Sequence, residues 1–235
     1  MHAVHRLDGR SGRRLPTLGA SFLLAVGCSG ALAAQASAAT LAVAQPCVVN
    51  ADASAGSPMT VTGTGFTPGD TIELQTTSGG GFGTAVADAT GNISTLMTAP
   101  TLPNASIPAA APFTVTATDS LTPLPVNPTA TFMVANLAVG VHPARAVPGK
   151  KVTWTFSGFV SGANIYAHYL HGKKVTATAK FGRANGPCGL LKTKAVFYPG
   201  KAKYPTYKVQ FDDSRRFLAS ALPRFIGIIY THIPV

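Results

Sequence analysis

Apolar and polar residues alternate in short runs along most of this chain. Val152, Trp154 and Phe156 fall on one side of an extended segment, and Thr153 and Thr155 on the other. A two-residue period of this kind reads as a half-buried strand. The same pattern, more weakly expressed, predicts strands near 85–87, 93–97, 113–117 and 131–134, and again near 174–177, 191–197, 207–211 and 225–230. Gly- and Pro-containing turns separate these runs. No long stretch repeats apolar residues at helical spacing.

The pattern also repeats at long range. Residues 59–72 align with residues 152–165 at an offset of 93, sharing Gly-Phe-x-x-Gly-x-x-Ile after alternating Thr. A period of that size is one immunoglobulin-like unit of about seven short strands. Gly158 and Gly162 bracket a turn, Phe159 tucks beneath it, and Ile165 opens the next strand. Trp154 is expected to be buried at the centre of the second unit. The predicted fold class is therefore all-β. Two tandem immunoglobulin-like β-sandwich domains, 40–137 and 138–235, follow an N-terminal signal peptide over 1–39.

That leader is read from order. Arg13 and Arg14 precede an apolar run over 15–34, and Ala36-Ser37-Ala38 offers a small-x-small cleavage site. An uncleaved anchor is the alternative, weakened by Pro16, Gly19, Gly27 and Gly30. Ala25-Val26-Gly27-Cys28 loosely resembles a lipoprotein box. The Arg pair resembles a twin-arginine signal, except that Pro16 stands where a bulky apolar residue is preferred. No second apolar stretch reaches spanning length, so no transmembrane segment is expected in the mature chain. The expected location is secreted or cell-surface.

Composition agrees with strands and turns: 46% of residues are hydrophobic, 11% charged, with 24 Gly and 18 Pro. Charge adds something new. Between Ala39 and Ala138 there is no Lys or Arg, and five carboxylates give −5. Beyond Ala138, fifteen Lys and Arg face Asp212 and Asp213, a net of +13. A basic excess of this size calls for anionic company. Lys173, Lys174, Lys192, Lys194, Lys201 and Lys203 are the candidate binding residues, with Tyr204 and Tyr207 adding contact area. At alternate positions of a strand, Lys192 and Lys194 share a face.

The Gly65-Phe66-x-Pro68-Gly69 segment resembles the bacterial Ig-like, TIG-type modules of exported proteins. Gly186-Pro187-Cys188-Gly189 and Tyr207-Lys208-Val209-Gln210-Phe211-Asp212 resemble the C-terminal region of secreted actinobacterial proteins of unknown function. The resemblance implies a β-sandwich and export. It implies no activity.

Other constellations carry little chemistry. His168 and His171 lie three apart, on opposite sides of a strand, without a nearby ligand set for zinc; solvent-facing or partly buried imidazoles are expected. His142 and His232 stand alone. Asp212-Asp213 lacks the spaced oxygens of a calcium site and is expected to pair with Arg215 and Arg216 in a turn. Gly79-Gly80-Gly81-Phe82-Gly83 lacks the context of a phosphate loop and reads as a hairpin loop. There is no Gly-x-Ser-x-Gly elbow and no acidic pair among aromatics. No metal, cofactor or enzyme activity is expected. Cys47 and Cys188 could bridge after export. They belong to different repeats, however, and the expectation is two unpaired thiols. The chain thus reads as a non-enzymatic binding protein whose basic domain contacts an anionic envelope polymer or a protein partner, with no specific nucleic acid. A structural spacer without its own ligand is one alternative, and an enzyme with an unrecognised site another.

Overall fold

The structure, a computed structural model, describes residues 38–51, 55–77, 81–104, 107–121, 123–124 and 126–231. The basic tip, apolar run and Cys28 of the leader lie outside these residues, as do Asp52 and His232. The described residues belong to one compact unit. They form strands and no helix, and so none long and apolar enough to cross a membrane.

The N-terminal half contributes β1 (Thr40–Val43), β2 (Cys47–Asn50), β3 (Pro58–Thr64), β4 (Thr71–Thr76), β5 (Phe82–Val86), β6 (Ile93–Thr98), β7 (Ala110–Asp119) and β8 (Thr129–Asn136). The C-terminal half contributes β9 (Ala138–His142), β10 (Lys151–Ser157), β11 (Asn164–His171), β12 (Lys174–Arg183), β13 (Leu191–Val196), β14 (Thr206–Asp212) and β15 (Phe225–Tyr230). The first half pairs a three-stranded sheet, β1-β3-β6, with a five-stranded one, β2-β8-β7-β4-β5. The second half repeats the order with β9-β10-β13 and β12-β11-β14-β15. Even the parallel contact recurs. β2 runs parallel to β8, and Ala146 bridges Thr231 in the same sense. This is the strand order of an immunoglobulin-type sandwich, and the fold is all-β as the alternation predicts.

Each expected strand is present. β1, β2 and β9 were not expected; each is too short for alternation to stand out, and each is specified by its neighbour rather than by its own residues.

The repeated motif has the same conformation in both halves. Gly65 and Gly158 both have positive φ, 82° and 80°, and Phe66 and Phe159 are both buried. Asp70 N–H donates to Thr67 O, and Ala163 N–H to Val160 O, closing the same turn at 3.1 Å. The cores differ in kind. Met59, Val61, Ile72, Leu74, Val115 and Val134 fill the first. The second is aromatic. Trp154 is 1% exposed, as expected, with the rings of Phe181, Phe211 and Phe197 at 5.1, 5.6 and 6.1 Å. Full burial of such side chains contributes ~1.5–3 kcal/mol each.

The halves meet closely. Ser157 Oγ donates to Asn136 O at 2.6 Å. At Gly158 an added Cβ would lie 2.8 Å from both the Leu137 Cα and a Val49 methyl. Here the expectation of unpaired thiols is overturned: Cys47 and Cys188 form a disulfide, with Cα atoms 5.3 Å apart. β2 carries Cys47 toward the junction. The turn 186–189 folds under the Gly158 loop, where Gly158 N–H donates to Cys188 O at 2.9 Å. Gly189 lies so tightly against the Phe159 carbonyl that any Cβ would clash. The two cysteines are in different halves but at the junction where those halves meet.

Candidate basic cleft

The end of the C-terminal half away from this junction is built from two segments. The β11–β12 hairpin turns at Gly172-Lys173, pairing His171 with Lys174. The connection from β13 to β14 runs through Tyr198, Lys201, Lys203 and Tyr204. Tyr207, one residue into β14, ties the connection down. Its hydroxyl accepts from Lys203 N–H at 2.9 Å and from Tyr204 N–H at 3.2 Å. A tyrosine at the start of this strand, bonded to backbone just upstream, is a known corner device of such sandwiches.

Between the segments lies a cavity of about 310 Å³, lined among others by Lys174, Thr176, Tyr198, Lys201, Lys203 and Tyr204. Among the described residues no carboxylate lines it. The three lysines that line it are exposed. The rings of Tyr198 and Tyr207 lie 4.5 Å apart beneath. Burial pushes the Tyr198 phenol up; Thr176, whose hydroxyl could donate to the ionised form, opposes the shift, and Tyr207 adds to it. The hydroxyl therefore stays protonated and available as a polar group at neutral pH. Tyr204 is half-buried, and the His171 ring stacks on it at 3.5 Å, within 2° of parallel. A negative charge here would be met by the lysine ammonium groups, while the tyrosine rings, whose faces are themselves electron-rich, offer apolar contact.

The eight candidate residues are thus divided. Lys174, Lys201, Lys203, Tyr204 and Tyr207 line this one cavity, and Lys173 sits in the hairpin beside it. Tyr207 is 1% exposed with its hydroxyl occupied, so it positions the loop. Lys192 and Lys194 are elsewhere. They face outward on β13, opposite Thr155 and Thr153. They do share a face, but not with the others. Lys192 lines a second hollow near the junction, of about 320 Å³, together with Pro108, Ala110, Phe156 and Leu190. Sequence reasoning missed Tyr198, Thr176 and His171. Tyr198 directly follows the expected strand over 191–197, and that position beside the Lys201–Lys203 pair was the available signal.

Two expectations for the polar residues fail. His168 is fully buried, not solvent-facing or partly buried. It lies on the outer face of its sheet, and the segment after β14 folds over it, bringing the Phe217 ring to 5.7 Å. Its Nε2 donates to Ser214 O at 3.0 Å and lies 3.4 Å from Asp212 Oδ1. Asp212 does not pair with Arg215 or Arg216. Its carboxylate is buried and accepts from Ser214 N–H at 2.9 Å and from Gln210 Nε2 at 2.6 Å. The chain turns back at Ser214, which leaves the arginines in solvent. Among the described residues no three His, Cys, Asp or Glu converge as a metal site. The described ends of the 79–83 glycine run, Gly81 to Gly83, lie at the β4–β5 hairpin, where Thr76 N–H donates to Gly81 O.

No protein-family model matches the chain, and no curated protein matches it. Solved structures of similar shape exist. The D00-D0 domain of intimin covers 83% of this chain and all of its own length (100%), with 10% identity and a TM-score of 0.40. Yersinia pseudotuberculosis InvD covers 82% of this chain, which matches 57% of it, with 15% identity and a TM-score of 0.34. A Ca2+-stabilised adhesin that helps an Antarctic bacterium reach out and bind ice covers 84%, is itself matched over 49%, and has 16% identity and a TM-score of 0.29. What the cleft can bind is read from its own residues.

Proposed function

We propose that this chain is an exported or cell-surface, non-enzymatic binding protein. Its two halves act as tandem immunoglobulin-like domains divided at 137/138. The basic C-terminal domain binds an anionic polymer of the cell envelope through the Lys174–Lys201–Lys203 cleft. The observation that carries this is the convergence of three exposed lysines, from two separate segments, on a cavity with no carboxylate among the described residues of its lining. Cations gathered this way repel one another, an arrangement suited to a ligand that supplies the opposing charge.

The test is binding of the full chain to polygalacturonate across a salt series. Affinity is expected to fall steeply with salt as condensed counterions are released. The triple variant Lys174→Gln/Lys201→Gln/Lys203→Gln should lower the salt slope by about three, one for each cation removed. Lys192→Gln/Lys194→Gln should change it less. An unaltered slope in the triple variant, or no binding at low salt, overturns the proposal. The second reading, a rigid spacer, is favoured by the disulfide across the junction and would then stand in front.

A further inference from the structure

The cleft has more than a polyanion surface needs. Counterion release asks only for lysines in solvent, and these would work on a flat sheet face. Here the lysines rim a concave site with an aromatic floor and hydroxyls in its wall. Resting on the reading above, we propose that the cleft is a subsite for one sugar ring carrying an anionic group. The ring's apolar face lies on Tyr204, and its carboxylate or phosphate is held by Lys201 and Lys203.

Size supports a single unit. About 310 Å³ lies at the low end of small-molecule sites. That holds one ring and leaves the rest of a polymer outside. Position supports the stacking role. Tyr204 is half-buried, its backbone N–H is fixed by Tyr207, and Thr231 Oγ1 donates to its carbonyl at 2.6 Å. His171 lies parallel against it. With the backbone anchored and His171 on one face, the ring loses little freedom when a sugar meets its other face, which is what a stacking platform requires. Chemistry supports a hydroxylated ligand. Tyr198 and Thr176 place a neutral phenol and an alcohol in the lining; Tyr198 donates to Thr176 Oγ1 and Thr176 donates to Tyr169 O at 2.9 Å, so what they offer a sugar hydroxyl is an oxygen that accepts. Lys174, from the opposite segment, closes the rim, so charge can be met from both sides.

The experiment titrates the full chain, at fixed ionic strength, with galacturonate, glucose 6-phosphate, galactose and inorganic phosphate. Each is also tested as a competitor of polygalacturonate. At least one anionic sugar is expected to bind and compete. Whichever arm does so tells a sugar acid from a sugar phosphate. Galactose lacks the charge and phosphate lacks the ring, so both should bind about tenfold more weakly or worse. Tyr204→Ala should weaken the anionic sugar by about tenfold or more, the scale of a lost stacking contact, while the salt slope of polymer binding stays the same. Should Tyr204→Ala misfold by near-ultraviolet circular dichroism, Tyr204→Leu, which keeps bulk without the aromatic face, makes the same comparison. Phosphate binding as tightly as either sugar, or polymer binding that neither sugar displaces, overturns the subsite and leaves the polyanion reading intact. Loss of polymer binding at low salt overturns the reading itself.

Discussion

Trp154 shows how one residue specifies its surroundings. It sits mid-strand between Val152 and Phe156, and all three are buried on the inner face of β10. Phe181 approaches edge-on, with the ring planes at 71°, an arrangement that aromatic quadrupoles favour. Trp154→Ala would leave a large void and should cost about 3–5 kcal/mol in chemical denaturation. Trp154→Phe should cost clearly less, for two reasons. The ring stays, and the indole N–H, which finds no acceptor among the described residues, is removed. Native fluorescence should be blue-shifted. Equal losses in the two variants would show that packing does not set the cost.

At the scale of elements, the turns hold the repeat together. Between β5 and β6 the Asp88 carboxylate accepts from Thr90 N–H at 2.8 Å, Asn92 N–H at 3.0 Å and Thr90 Oγ1 at 2.7 Å. The same turn reaches the repeated motif, because Phe66 N–H donates to Gly91 O. These bonds favour the ionised acid. With the Asn92 N–H contributing most, the Asp88 pKa falls from 3.8 to about 2. A depressed acid stabilises the fold above its ordinary pKa, and the gain is lost as pH falls toward the folded value. Asp88→Ala should therefore lower the melting temperature at pH 7. The gap from the parent should shrink below pH 3.8 and close near pH 2. Melts across that range decide it; a gap independent of pH would mean the carboxylate's charge is irrelevant to the turn.

For the whole molecule, the disulfide is the largest single constraint. Its cysteines are 141 residues apart. Closing a loop of that length stabilises by about 5 kcal/mol in the chain-entropy model. Unreduced, denatured protein should show no free thiol at Cys47 or Cys188. Cys47→Ser/Cys188→Ser should lower the melting temperature, and reductant should lower the parent to match while leaving the double variant unmoved. Two titratable thiols at these positions would refute the bond. Because the bond also spans the junction, proteolysis between the halves of the parent should release no fragment until reductant is added.

Much of this was written in the sequence. Strands such as β10 and β14 announce themselves, since a pleated strand with one buried face must alternate. The Gly-Phe-x-x-Gly repeat fixed both turns, because positive φ at Gly65 and Gly158 is a local demand. The charge division and the lysines of the candidate site were legible for the same reason: composition needs no coordinates. Three things waited for tertiary structure. Cys47 and Cys188 meet because β2 and the turn 186–189 reach the same pole of two different sheets, which spacing along the chain does not encode. His168 and Asp212 are buried because a later segment covers a face that alternation marks as exposed. Lys192 and Lys194 part from Lys174, Lys201 and Lys203 because β13 belongs to the other sheet. Local pattern follows from bonds between near neighbours; which faces meet is settled by the packing of strands far apart in sequence.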